Sequence, residues 1–226
     1  AATVTADIAG SVAQDATGNN NTAATQWSIS YDGDSPSVVI SSSQDPGPTN
    51  SSTINLTAQF SEGVSGFAVG DITVTGGSAS NFVAVDADTY TFDITSPAAT
   101  VTADIAGSVA QDATGNNNTA ATQWSISYDG ASPSVVISSS QDPGPTNSST
   151  INLTAQFSEA VSGFAVGDIT VTGGSASNFV AVDADTYTFD ITSPAATVTA
   201  DIAGSVAQDT AGNNNTAATQ WSISYD

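Results

Sequence analysis

Carboxylates are the only charged side chains in this sequence. The 226 residues hold 22 acidic groups, all Asp except Glu62 and Glu159, and no Lys, Arg, His, Cys or Met, for a formal net charge of −22. Two kinds of chemistry use acids alone. One is glycoside hydrolysis, which needs two carboxyls about 5–9 Å apart in a substrate cleft. Asp86 and Asp88 form a DxD pair, but a domain of under 100 residues has little room for such a cleft. The many serines have no His, Cys or Lys base beside them, so nucleophilic catalysis lacks its activating partner. We therefore expect no enzyme. The other chemistry is cation binding. Hard oxygen ligands on flexible loops suit calcium, which takes six to eight of them. Magnesium demands stricter octahedral geometry, and zinc would lack its preferred thiolate and imidazole ligands.

The same composition bounds the partners. Without a basic residue nothing neutralises phosphate, so a nucleic-acid partner is excluded. Anionic membrane surfaces would repel the chain. No stretch is long and apolar enough to insert in a bilayer, and no signal-peptide pattern is present. Disulfide staples and Lys–Asn isopeptide staples are both excluded by composition.

Strands must position the acids. The hydrophobic period is two throughout. In TINLTAQF, Ile54, Leu56, Ala58 and Phe60 share one side; Tyr90, Phe92 and Ile94 do so in DTYTFDIT. Val101, Ala103 and Ile105 follow, then Trp124, Ile126 and Tyr128. With PSVVIS, ITVTG and NFVAV these make seven short strands separated by Gly, Asn, Pro and Ser turns. One-sided strands must pack as two sheets, so the fold class is all-β, a seven-strand Greek-key β-sandwich. The aromatics Phe60, Phe92, Trp124 and Tyr128, with Phe157, Phe189, Trp221 and Tyr225, are expected in the cores, as is Trp27 by its alternation.

The sandwich recurs. QDATGNNNTAATQWSISYD occupies residues 14–32, returns unchanged at Gln111, and returns at Gln208 with one Ala–Thr swap, a period of 97 residues. That is one small domain rather than a solenoid repeat. Residues 1–32 match the C-terminal fragment of a preceding repeat; 36–129 and 133–226 are two complete repeats. The fragment is too small to bury a core alone.

Alternating strand direction then sorts the loops. SEGVSGFAVGD, the turn DAD and VAQDATGNNN all fall at the end where the preceding linker enters. In the first repeat that end collects Glu62, Asp71, Asp86, Asp88, Asp112 and Asn116 beneath Asp32 and Asp34; in the second, Glu159, Asp168, Asp183, Asp185, Asp209 and Asn213 beneath Asp129. Two readings fit. Converging carboxylates repel one another without a cation, which points to calcium; Asp and Asn are also ordinary turn formers in proteins that bind nothing.

PSVVISSSQDPGPTNSSTINLTAQFSEAVSGFAVGDITVTGG, YTFDITSPAATVTADIAG and QDATGNNN together resemble the bacterial Ig-like domain found in tandem in very large secreted and surface proteins; the PTN, FSE, GDITV, YTF and DxxGN elements carry the likeness. The resemblance implies tandem immunoglobulin-like sandwiches, extracellular, secreted or at the cell surface, serving as spacers in adhesins or fibres. It implies calcium at acidic junctions, here at Glu62, Asp71, Asp112 and Asn116 and at Glu159, Asp168, Asp209 and Asn213. The linkers differ, DGD at 32–34 against DGA at 129–131, so Asp32 and Asp129 are expected to matter more than Asp34.

Two functions follow as expectations. One is a non-enzymatic structural repeat forming an extended stalk, spacer or filament, with neighbouring repeats as its partners and self-assembly into a fibre as a variant. The other is a carbohydrate- or protein-binding adhesive module acting through tandem avidity. The first is favoured by near-identity of the repeats and by the short Pro-tipped linker YDGxSP. Sequons such as those at Asn55 and Asn152 would be glycosylated only in a compartment that holds the transferase.

Overall fold

A computed structural model describes residues 2–226. The chain falls into two compact units. One is built from residues up to Ser43 with Asn55–Ile94 and Thr102–Trp124; the other from Gln44–Ile54, Thr95–Val101 and Ser125–Asp226. The second complete repeat therefore lies wholly inside the second unit.

In that repeat the seven strands are β10 (Val135–Ser139), β11 (Thr150–Phe157), β12 (Ile169–Thr172), β13 (Ser175–Ala181), β14 (Thr186–Thr192), β15 (Thr197–Ile202) and β16 (Trp221–Ser224). They form a four-stranded sheet in the order β10-β11-β14-β13 and a three-stranded sheet in the order β12-β15-β16. The split of first, second, fifth and fourth strands against third, sixth and seventh is that of a constant-type immunoglobulin sandwich. Period-two patterning produces it directly. Along β11 the buried positions are Ile151, Leu153, Ala155 and Phe157; along β14 they are Tyr187, Phe189 and Ile191. Facing them from the other sheet are Ile169, Val198, Ala200, Ile202, Trp221 and Ile223, in one continuous core.

The chain changes sheets between β12 and β13 through Gly173 and Gly174. Gly173 has φ +77°, and a Cβ there would lie 2.4 Å from the Thr197 carbonyl oxygen; at Gly174 it would lie 2.5 Å from Ile191 Cγ2. No larger residue fits this crossover without moving backbone.

The earlier strands are β1 (Ala2–Ala6), β2 (Trp27–Tyr31), β3 (Val38–Ser42), β4 (Thr53–Phe60), β5 (Ile72–Thr75), β6 (Ser78–Ala84), β7 (Thr89–Thr95), β8 (Thr100–Ile105) and β9 (Trp124–Ser127). β3 to β9 repeat the two sheet orders and the burial pattern of β10 to β16. β1 and β2 form a two-stranded antiparallel hairpin by themselves.

Two aromatic expectations need correction. Trp27 is 54% exposed, whereas Trp124 and Trp221 are each 7% exposed; among the described residues its hairpin forms a sheet of two strands with no second sheet against it. Tyr128 and Tyr225 are half-buried rather than core residues; each sits just past the last strand, where the sheets stop covering it. Among the described residues no helix is long and apolar enough to cross a membrane.

Candidate metal centre

Three acids meet at the same place in each repeat. Asp129, Glu159 and Asp209 each bring a carboxylate oxygen within 4.8 Å of the others, and Asp32, Glu62 and Asp112 do the same. Each trio joins the linker, the loop after the second strand and the loop between the last two strands.

Local chemistry fixes each member. Glu159 lies on the loop that follows β11. That loop is anchored by Phe164, whose ring meets Phe157 and Tyr187 edge-on with centroids 5.2 and 5.1 Å away. Tyr187 Oη donates to the Val161 carbonyl at 3.3 Å. A short bridge then couples this loop to the next: Ser162 N donates to Gln208 O at 2.7 Å, and Gln208 N to Ser162 O at 3.0 Å. Asp209 is the next residue, so the bridge brings it towards Glu159.

Asp209 organises its own turn. Its Oδ1 accepts from the Ala211 and Asn213 amides, both at 2.8 Å, and its Oδ2 accepts from Asn213 Nδ2 at 2.8 Å. The same Nδ2 donates to the Asp129 backbone carbonyl at 2.9 Å. Thr216 N donates to Pro133 O at 2.8 Å, and Ser158 N to Ser134 O at 2.9 Å. The linker is thereby tied to both loops. In the first trio Asn116 Nδ2 reaches Asp112 Oδ2 at 2.8 Å and Asp32 O at 3.1 Å.

The two trios differ in detail. Thr114 adds its hydroxyl to Asp112 at 3.0 and 3.1 Å, a donor that Ala211 lacks. Burial raises the Asp112 carboxyl, but bonds from Asn116 and Thr114 outweigh it and hold the group at about 2. Asp209 is likewise lowered overall, with Asn213 the main donor set against burial. The glutamates go the other way. Desolvation pushes Glu159 up, and Asp129 and Asp209 add to it; desolvation pushes Glu62 up, reinforced by Asp112, Asp32 and Asp34. Each trio is thus a concentration of negative charge, in a chain with no Lys, Arg or His to offset it.

The remaining candidate residues are placed elsewhere. Asp71 and Asp168 turn back to cap their short 3-10 turns, accepting from the Ala68 and Ala165 amides at 2.9 and 2.8 Å. Asp86 and Asp183 accept from the next turn's amides, including Thr89 N and Thr186 N at 2.8 Å. Asp88 and Asp185 accept from the hydroxyls of Thr89 and Thr186 at 2.8 and 2.7 Å. Asn116 and Asn213 direct their amide nitrogens at the trio and the linker, so they hold it together as donors. The trios take Asp32 and Asp129 and not Asp34.

One structural residue was missed by sequence reasoning. Asn215, almost fully buried, accepts from Val206 N and Ala207 N at 2.9 and 2.8 Å and donates to Ala203 O and Thr216 O, both at 2.9 Å. Asn118 does the same in the first repeat. The third Asn of NNN carried no spacing signal, because none of the next five residues, 119–123 and 216–220, is buried.

A comparison with curated proteins finds no match. Similar solved structures include the Escherichia coli adhesin FdeC, at 13% identity over 84% of this chain and 64% of that one, with a TM-score of 0.40. InvD of Yersinia pseudotuberculosis is 15% identical over 84% and 57%, with a TM-score of 0.33. The Yersinia pseudotuberculosis adhesin InvE is 14% identical over 84% and 58%, with a TM-score of 0.26. This chain spans about three-fifths of the length of each of them. The family model for the bacterial Ig-like domain matches residues 32–128 and again residues 129–225. With two constant-type sandwiches, each including its own preceding linker residue, the chain belongs to the bacterial Ig-like domain family.

Proposed function

We propose that the chain is a length of extracellular spacer, a non-enzymatic stalk of tandem Ig-like domains at a bacterial surface, whose linkers are fixed by calcium at the acid trios. The observation that carries this reading is the recurrence of the trio, in both repeats, between a linker aspartate and two loops. A divalent ion there would supply the positive charge that the chain lacks, relieving the glutamate pressed against two aspartates. Asp129, Glu159 and Asp209 would hold one ion, and Asp32, Glu62 and Asp112 another. A spacer needs no pocket and no reactive pair, and it gains from many near-identical units. Binding to the native state alone stabilises by mass action.

Solution scattering of the chain in calcium and in chelator tests this. A larger maximum dimension and a higher melting temperature with calcium are expected. Identical curves would leave the trios as solvated turns and remove the ion from the account.

A further inference from the structure

Twenty of the 22 acids are aspartates, and only two of these precede a glycine: Asp32 before Gly33 and Asp129 before Gly130. Each is the linker member of its trio. An aspartyl–glycyl step is open to a reaction that other steps resist. The glycine amide nitrogen can attack the aspartate Cγ and close a five-membered imide, because no Cβ on the glycine crowds the approach. Both glycines are exposed, on linkers outside the strands.

The two steps differ in how the carboxyl is held. Asp129 Oδ1 accepts from Ala131 N at 2.9 Å, whereas Asp32 Oδ1 accepts from Asp34 N at 3.3 Å. A bond from the side chain to the amide two residues on folds the carboxyl over the peptide between them, which carries Cγ towards the glycine nitrogen. The same donor steadies the negative oxygen that forms when Cγ is attacked, and it does so better at the shorter distance. The main chain beside Asp129 is fixed as well: Asp129 N donates to Thr49 O at 3.0 Å, and Asn213 Nδ2 donates to Asp129 O at 2.9 Å. Where the second linker has Ala131, the first has Asp34. A second carboxylate there opposes the growth of negative charge on its neighbour.

We infer that Asp129–Gly130 is a self-modification site, at which the linker converts to isoaspartate, and that it reacts ahead of Asp32–Gly33. Gly130 N bonds to Asp129 Cγ; its proton, one carboxyl oxygen and a proton from solvent leave as water. Water then adds to the Asp129 main-chain carbonyl carbon and breaks its bond to Gly130 N. The composition is unchanged, and nothing is oxidised or reduced. The main chain now runs through Cγ and is longer by one carbon. The carbonyl that Asn213 holds becomes part of a free carboxylate, so Asn213 no longer ties the peptide entering Gly130, and the linker loosens. The step uses no bound ion, so its failure would leave the calcium reading standing.

Ageing the full chain in chelator at neutral pH, then mapping its peptides by electron-transfer fragmentation, tests this. Isoaspartate should accumulate severalfold faster at Asp129 than at Asp32, with little at aspartates that no glycine follows. Amide exchange at Ala131 should quicken in the aged chain. Gly130→Ala should slow the conversion severalfold. Asp129→Asn closes the same imide with ammonia leaving in place of water, and should form isoaspartate faster than the parent. That arm reads the step even where a Cβ at Gly130, 2.5 Å from Tyr128 Oη, disturbs the linker. Absence of isoaspartate at Asp129, equal accumulation at Asp32, an unchanged rate in Gly130→Ala, or an Asp129→Asn variant no faster than the parent would overturn the inference.

Discussion

The side-chain amide of Asn213 holds the linker residue Asp129 from 84 positions away, Nδ2 donating to its backbone carbonyl at 2.9 Å. The same nitrogen donates to Asp209 Oδ2 at 2.8 Å. One short side chain therefore sets both the linker and the carboxylate beneath it. Asn213→Ala removes these bonds, each worth about 0.5–1.5 kcal/mol net. A lower melting temperature, with faster amide exchange at Ala131, is expected by calorimetry and hydrogen exchange. Unchanged exchange in the linker would show that Thr216 and Pro133 hold it without Asn213.

The core carries the repeat. Phe189 is 1% exposed, at the centre of the four-stranded sheet. Phe189→Ala should cost about 3–5 kcal/mol, a large share of a small domain's total of roughly 5–15 kcal/mol. Denaturant melts of the two proteins check this; a shift under about 1 kcal/mol would contradict the packing described.

Gly173 and Gly167 should respond unequally to alanine. At Gly173 the backbone is left-handed and the new Cβ meets a carbonyl at 2.4 Å, whereas at Gly167 nothing lies within 4 Å. Gly173→Ala should destabilise by more than about 1 kcal/mol and Gly167→Ala by far less. Equal melting temperatures for the two variants would place the sheet crossover elsewhere.

Acid should first strengthen and then weaken the cation-free chain. Glu159 and Glu62 have raised carboxyl pKa values, from burial first and neighbouring acids second. Their ionised forms oppose folding, and that penalty fades as pH falls through the raised values. Asp112 is held at about 2 against an ordinary 3.8, where bonds from Asn116 and Thr114 overcome its burial. Its contribution is present above its unfolded value and is lost as pH falls towards about 2. Melting temperature in chelator should therefore pass through a maximum in mild acid. The double variant Glu62→Gln, Glu159→Gln should flatten the rise and keep the fall; a rise of the same size in that variant would assign it to the overall charge of −22 instead.

The strands were legible because burial on one face leaves a period-two trace that needs no tertiary information. TINLTAQF shows its whole inward set in eight letters, and all four of those positions are buried. Strand reversal alone also brought the loops of Glu159 and Asp209 to one end. Which acids meet was not legible. Asp168 and Asp183 sit on loops at that end, yet their carboxylates accept from amides two or three residues away. Such local bonds depend on turn geometry that spacing does not encode. Asn213 was expected as a ligand for the same reason: sequence shows an amide but not which of its ends faces the acids.

Calcium titration calorimetry of the chelator-treated chain tests the central claim most directly. The account predicts two ions per chain, falling to one in Glu159→Gln and in Glu62→Gln, because each trio brings one carboxylate oxygen per residue within 4.8 Å of the others and the β1–β2 hairpin has no such trio among the described residues. No binding heat, or a stoichiometry that neither substitution changes, would contradict it.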